Sequence, residues 1–164
     1  IDEIEPTIYA NRGFAKANLK DYKGAIKDLE KAFEFELKPE LKVWLLTQLG
    51  RVKGEIGDHQ KAINSISEAI KLSTNKDQMA LLYGGRCWNN LKLKIYQSAI
   101  DDCNEAIKIN PNDFNSFANR GSAFSAIFLH REACFDYKKS HALGNQLAGE
   151  WLNSRKGKWC RNMY

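Results

Sequence analysis

The chain has 164 residues, of which 43% are hydrophobic and 27% are charged, and its formal net charge is +5. This length suits one compact domain or one short helical array, and the sequence has no run of about 18 apolar residues that could span a membrane. Four of the positive charges, Arg155, Lys156, Lys158 and Arg161, lie beyond Trp151 in a stretch without Asp or Glu. The body before them is nearly neutral, which disfavours a nucleic-acid-binding surface.

Four helical hairpins are predicted in chain order, because one pattern of small and apolar residues occurs four times. The pattern aligns on an alanine column, at separations of 37, 37 and 34 residues: Ala25, Ala62, Ala99 and Ala133. A glycine column lies upstream of it: Gly13, Gly50, Gly85 and Gly121. In the first copy, Tyr22, Ala25, Ile26 and Leu29 form one stripe of a helix. A glycine inside a helix lowers its stability by about 1 kcal/mol, so its recurrence indicates close contact with the paired helix.

The predicted hairpins cover residues 6–37, 40–74, 77–110 and 113–144, within an array spanning 1–145. Their helices are predicted at 6–19 and 22–36, 40–56 and 59–72, 77–91 and 96–109, and 113–127 and 130–143. With Gly85 in the glycine column, the third copy has about two extra residues near 91–95, which predicts a longer turn. A ninth helix over 146–156, within a final segment 146–164, is expected to cap the last hairpin and lead into the basic tail.

The motifs Asn11-Arg12-Gly13, Asp21-Tyr22 and Ala25-Ile26-x-Asp28-Leu29-x-x-Ala32 resemble a tetratricopeptide repeat, and the resemblance extends over about residues 6–145. It implies an all-α fold, a right-handed superhelix of four hairpins plus a capping helix. It also implies a non-catalytic adaptor that binds a partner peptide or protein segment in the concave groove formed by the first helix of each pair. The family's carboxylate clamp for chaperone C-termini is incomplete here, because Trp44 and Gln48 stand where Lys and Arg belong.

Polar and aromatic side chains on the first helices are the candidate groove residues. They are Asn11, Phe14, Trp44, Gln48, Arg51, Met79, Tyr83, Arg86, Asn115 and Asn119. Arg51 and Arg86 each follow a glycine of the glycine column, so they are expected to lie in equivalent places in adjacent repeats. Two guanidinium groups in a concavity favour a carboxylate, which predicts an acidic or C-terminal segment as the partner. The alternative is an ion pair with Glu55 or exposure at the rim of the groove.

The four cysteines, Cys87, Cys103, Cys134 and Cys160, form no C-x-x-C pair and have no histidine at a metal-ligand spacing. Cys103 and Cys134 stand where other copies have Leu, Ile or Tyr, which predicts burial as small apolar side chains. We therefore expect reduced thiols and a cytoplasmic location, and no metal or other cofactor.

Three other classes of function remain as alternatives. An enzyme is disfavoured because the repeat pattern accounts for His59, His130 and His141. A helical-repeat RNA-binding protein would have the same kind of period, but nucleic acid is an improbable partner for a nearly neutral body. Self-association is the third alternative, through the C-terminal helix and the aromatic residues Trp151, Trp159 and Tyr164.

Overall fold

The computed structural model describes residues 4–155 and 157–161, and this part of the chain is helical and contains no strand. Its helices are α1 Ile4–Asn18, α2 Tyr22–Ala32, α3 Pro39–Glu55, α4 His59–Leu72, α5 Lys76–Lys92, α6 Tyr96–Ile109, α7 Phe114–Ala126, α8 His130–Ala142, α9 Gln146–Asn153 and α10 Lys158–Arg161. The first eight pair as four antiparallel hairpins, so the predicted all-α hairpin fold is confirmed. The chain divides into two compact units, Ile1–Asn75 and Lys76–Tyr164.

The hairpins of the first unit pack as the repeat predicts. Asp21 caps α2 by accepting a hydrogen bond from the Gly24 N–H, and Ala25 and Leu29 are fully buried against α1. A Cβ atom on Gly13 would lie 2.9 Å from Leu29 Cγ and 3.1 Å from the Ala25 carbonyl oxygen. The close approach predicted for the glycine column is therefore confirmed at this position.

The four hairpin turns have the same length and conformation. In each of them the residue three before the first residue of the second helix is exposed and apolar: Leu19, Ile56, Leu93 and Ile127. The next residue has a positive φ, between 61° and 82°: Lys20, Gly57, Lys94 and Phe128. The longer third turn predicted from the sequence is therefore wrong.

The register of the third repeat explains this difference. Gly13 packs on Leu29, Gly50 packs on Ile66, and Gly121 packs on Tyr137, each pair 16 residues apart. The corresponding pair in the third hairpin is Cys87 and Cys103, which are also 16 residues apart. Cys87 therefore occupies the position aligned with Gly85 in the sequence, two residues further along, and the separations of 37, 37 and 34 hold for the whole hairpin.

All four cysteines are paired in disulfides. Cys87 on α5 bonds to Cys103 on α6, and Cys134 on α8 bonds to Cys160 on α10. The prediction of reduced thiols is wrong, although their burial is confirmed. Two cysteines on the paired helices of a hairpin can bond only when their side chains face each other. The two-residue error in the predicted register hid the fact that Cys87 faces Cys103. The argument for the cytoplasm that rested on free thiols fails with it.

The C-terminal helices cover the last hairpin, as expected of a cap. α9 packs against α8, where the Trp151 and Tyr137 rings lie 4.2 Å apart and Leu152 is buried. α9 ends at Asn153, three residues before the predicted end, and the Cys134–Cys160 disulfide holds the short α10 against α8. The Tyr164 end of the tail lies outside the described residues. No helix within the described ranges has both the length and the apolarity to cross a bilayer.

Candidate functional site

One stripe of side chains on the first helices carries the candidate site. Its positions are spaced by 4 and 3 residues, which places them on one face of each helix. With the corrected register the stripe contains Thr7, Asn11 and Phe14 on α1, Trp44, Gln48 and Arg51 on α3, Leu81, Gly85 and Trp88 on α5, and Asn115, Asn119 and Ser122 on α7.

In the first unit, the structure brings four predicted groove residues together. The rings of Phe14 and Trp44 lie 5.8 Å apart, with Phe14 39% exposed. The guanidinium carbon of Arg51 lies 5.8 Å from the centre of the Phe14 ring, and Arg51 Nε donates to Gln48 Oε1 at 3.2 Å. Asn11 is exposed on the same face of α1. Two aromatic rings thus lie beside one cation and two amides. We name these five residues, Asn11, Phe14, Trp44, Gln48 and Arg51, the α1–α3 face.

Arg51 is the chemically distinctive residue of this face. Its partners in the described part of the chain are an amide oxygen and an aromatic ring, and no carboxylate there pairs with it. The alternative ion pair with Glu55 is therefore not formed. A guanidinium group has five N–H donors in a planar fork, so those not bonded to Gln48 can donate to an anion.

Arg86 has a different environment, and its predicted equivalence to Arg51 is wrong. Its Nε and Nη2 donate to the two carboxylate oxygens of Asp102 at 2.9 and 2.6 Å, and its guanidinium lies over the Tyr83 ring. In the corrected register Arg86 corresponds to Arg12 and Arg120. Met79, Tyr83 and Arg86 all fall outside the stripe that carries Arg51.

Sequence reasoning missed three residues on α5 because of the two-residue shift. Leu81 is 75% exposed at the position of Trp44, Trp88 occupies the position of Arg51, and Lys92 Nζ lies 5.3 Å from the centre of the Trp88 ring. An alignment on the hairpin turns, instead of on Gly85, would have found them. Asn115 and Asn119 keep their predicted place on the stripe.

The Arg86–Asp102 pair belongs to a structural motif that three of the hairpins share. Each motif has an arginine on the first helix and a buried aspartate 16 residues later on the second: Arg12 and Asp28, Arg86 and Asp102, and Arg120 and Asp136. In the second hairpin, Leu49 and Ser65 take the two positions, and both are buried. These ion pairs join the two helices of a hairpin.

The first of these pairs predicts a pH dependence of stability. Hydrogen bonding from Arg12 lowers the pKa of Asp28 to about 2, against the opposing effect of burial. The folded carboxylate therefore holds its charge at a pH where the unfolded one, with a pKa of about 3.9, is protonated. The stabilisation is present above about pH 4 and is lost between about pH 4 and pH 2. We expect urea denaturation to show that the stability difference between the natural protein and Asp28→Asn shrinks over that interval. A constant difference would contradict the assignment.

The four helical hairpins and the α1–α3 face define a helical-repeat protein. The family model described as Anaphase-promoting complex subunit 5 matches residues 9–94, slightly more than half of the chain. Small glutamine-rich tetratricopeptide repeat-containing protein 2 from Saccharomyces cerevisiae is 39% identical over 83 residues, which are 50% of this chain and 23% of the relative. The chain belongs to the tetratricopeptide-repeat family, and within that family it matches the model just described. It spans less than a quarter of the length of the first curated relatives.

Two solved structures show the same fold. The structure described as MamA protein has a TM-score of 0.77 and 23% identity, covering 97% of this chain and 87% of that one. The first tetratricopeptide domain of Spaghetti (RPAP3), solved with the HSP90 peptide SRMEEVD, has a TM-score of 0.62 and 25% identity, covering 68% of this chain and 88% of that one.

Proposed function

We propose that this chain is a non-catalytic protein-interaction module whose α1–α3 face binds an extended segment of a partner protein. The observation that carries the proposal is the cluster of Phe14, Trp44 and Arg51, in which exposed aromatic surface lies beside a cation without a carboxylate partner. Aromatic residues and arginine are the side chains that most often dominate binding energy at protein interfaces.

The chemistry of the face favours an acidic segment that also carries an apolar side chain. The apolar side chain would pack on Phe14 and Trp44, and a carboxylate would accept hydrogen bonds from Arg51. Asn11 and Gln48 can bond the main chain of the segment without selecting its sequence. The peptide SRMEEVD, which is bound in the structure of the RPAP3 domain, is acidic and carries Met and Val, so it has the chemistry that this face favours.

Contacts inside the C-terminal unit involve several of the other residues considered above. His130 lies against Trp159 with the ring centres 5.1 Å apart, and the His141 ring lies beside Gly149. Trp151 and Trp159, considered as self-association residues, pack on each other at 6.0 Å. These contacts support a scaffold over an enzyme. The paired cysteines favour an oxidising compartment over the cytoplasm.

Peptide titration tests the proposed face. We expect fluorescently labelled SRMEEVD to bind the full chain more tightly than the charge-reversed SRMKKVK. Arg51→Gln should weaken the acidic peptide about tenfold, because a hydrogen bond to a charged group contributes about 1.5–3 kcal/mol. Phe14→Ala should weaken both peptides, since it removes the apolar floor. Fluorescence anisotropy measures each dissociation constant.

Arg131→Gln is the matched control, since Arg131 is exposed on α8 and distant in sequence from the α1–α3 face. It should leave both affinities unchanged. Equal binding of the two peptides, unaltered by Arg51→Gln, would rule out an acidic partner. If Phe14→Ala also leaves both peptide affinities unchanged, the α1–α3 face is not the binding site.

A further inference from the structure

One edge of the Lys76–Tyr164 unit exposes large apolar side chains. They lie in the α5–α6 turn, in the α7–α8 turn and on α10, and we call them the apolar edge: Leu93, Ile95, Ile127, Phe128, Leu129 and Trp159. Because α6 runs antiparallel to both of its neighbours, α5 and α7 run in the same direction and their C-terminal turns lie at the same end of the unit. Large exposed apolar side chains gathered at one end of a unit mark a candidate interaction site.

Phe128 combines an unfavourable backbone conformation with a highly exposed side chain. It has a φ of 64° and its side chain is 80% exposed, whereas Lys20, Gly57 and Lys94 occupy the same position in the other turns. A bulky side chain is disfavoured in the left-handed region, and an exposed one gains little packing in return. A bulky, exposed side chain at a strained backbone position points to a functional role for that side chain.

Trp159 is held at this edge by the covalent structure. The Cys134–Cys160 disulfide fixes α10 on α8, and the Trp159 ring lies 5.1 Å from the His130 ring. His130 in turn contacts Phe128, with ring centres 6.1 Å apart. The aromatic residues therefore form a built surface that continues from the turn tip to the cap.

Basic residues surround the apolar side chains. Among the described residues of the three segments that form the edge, 92–95, 127–131 and 155–159, five are Lys or Arg and none is Asp or Glu. Glu132, which follows the second segment, is the nearest acidic residue in sequence. Lys92, Lys94, Arg131 and Lys158 are exposed. The edge therefore combines protruding apolar tips, a tryptophan and an excess of positive charge.

We propose that the apolar edge docks on a membrane surface that carries anionic lipids. Phe128 and its neighbours at the turn tips would enter the boundary between headgroups and acyl chains, and the Lys and Arg residues would contact the headgroups. Tryptophan favours this interfacial depth because its ring is amphipathic. Protruding tips suit a deformable lipid surface, whereas a protein partner would need a matching cavity. The apolar edge shares no residue with the α1–α3 face, so each can be tested by its own variants.

Vesicle co-sedimentation of the full chain tests the proposal. The buffer contains no thiol reductant, so both disulfides stay intact. We expect binding to phosphatidylcholine vesicles containing about 30% phosphatidylserine, little binding to phosphatidylcholine alone, and loss of binding at 1 M NaCl, where the screening length is about 3 Å. Phe128→Gly and Lys94→Gly should each weaken binding, the first by about tenfold or more. Both glycines suit the positive φ, so neither variant should lower the melting temperature.

Leu147→Ala is the matched control, because Leu147 is 74% exposed near the start of α9, and α9 begins beside the C-terminal end of α8, away from the end that carries His130. It should bind vesicles like the natural protein. Absence of binding to anionic vesicles would overturn the proposal and leave a protein as the occupant of the edge. Sedimentation without vesicles would overturn it in favour of a second copy of this chain. Equal binding by Phe128→Gly would also overturn it.

Discussion

Reduction of both disulfides should lower the free energy of unfolding of the Lys76–Tyr164 unit by roughly 6 kcal/mol, about 3 kcal/mol for each bond. The bonds join residues separated by 16 and 26 positions, and each restricts the unfolded chain. All four cysteines belong to this unit, so Ile1–Asn75 provides an internal reference. Urea denaturation with and without dithiothreitol measures the effect. In a Trp44→Phe variant, fluorescence reports on Trp88, Trp151 and Trp159 and therefore on this unit alone.

Paired serine variants separate the two bonds. Cys87→Ser with Cys103→Ser should destabilise the third hairpin, and Cys134→Ser with Cys160→Ser should release α10 from α8. Each pair should account for about half of the effect of dithiothreitol, because the two loops are of similar length. Four titratable thiols in the unreduced, denatured protein would contradict the pairing.

The fold was accessible from the sequence because its signals are local. The alanine at Ala25 and its counterparts recurs on a helical stripe, and small residues at a fixed spacing identify the hairpins without knowledge of tertiary contacts. Helix α9 was also predictable, because Trp151 and Leu152 are large apolar side chains that need a surface to pack against. The predicted bounds 146–156 extend past its end because Ser154 leaves the helix.

The site was only partly accessible, because it depends on register. Phe14, Trp44, Gln48 and Arg51 were predicted together, and the structure brings them together. Arg86 was misassigned because Gly85 stands two residues before the true counterpart of Gly13, which is Cys87. A shift of two residues rotates a helical position by about 200°, so it exchanges the stripe that carries Arg51 for the face that packs on the second helix.

The disulfides were hidden for the same reason. When Cys87 is placed in the glycine column, it faces the residue 16 positions later, as Gly13 faces Leu29. That residue is Cys103, and the pairing follows from the repeat alone. The second bond could not be inferred in this way, because Cys160 lies beyond the repeats.

Asp136→Ser should destabilise the fourth hairpin by about 3–5 kcal/mol, since removing one partner of a buried pair leaves an uncompensated charge. Asp136 is fully buried, and Arg120 donates to both of its carboxylate oxygens, at 2.8 and 2.7 Å. Burial raises the pKa of Asp136 even though hydrogen bonding and the charge of Arg120 act to lower it. Urea denaturation measures the loss.

The second hairpin suggests how that loss can be reversed. It carries Leu49 and Ser65 at the positions of Arg120 and Asp136, and both are buried. Arg120→Leu combined with Asp136→Ser reproduces that arrangement and should return stability to within about 1 kcal/mol of the natural protein, because replacing a whole buried ion pair by apolar packing is often nearly neutral. The double variant should therefore be more stable than Asp136→Ser alone. If Arg120→Leu lowers stability further instead of restoring it, the ion pair itself contributes net stability to the hairpin.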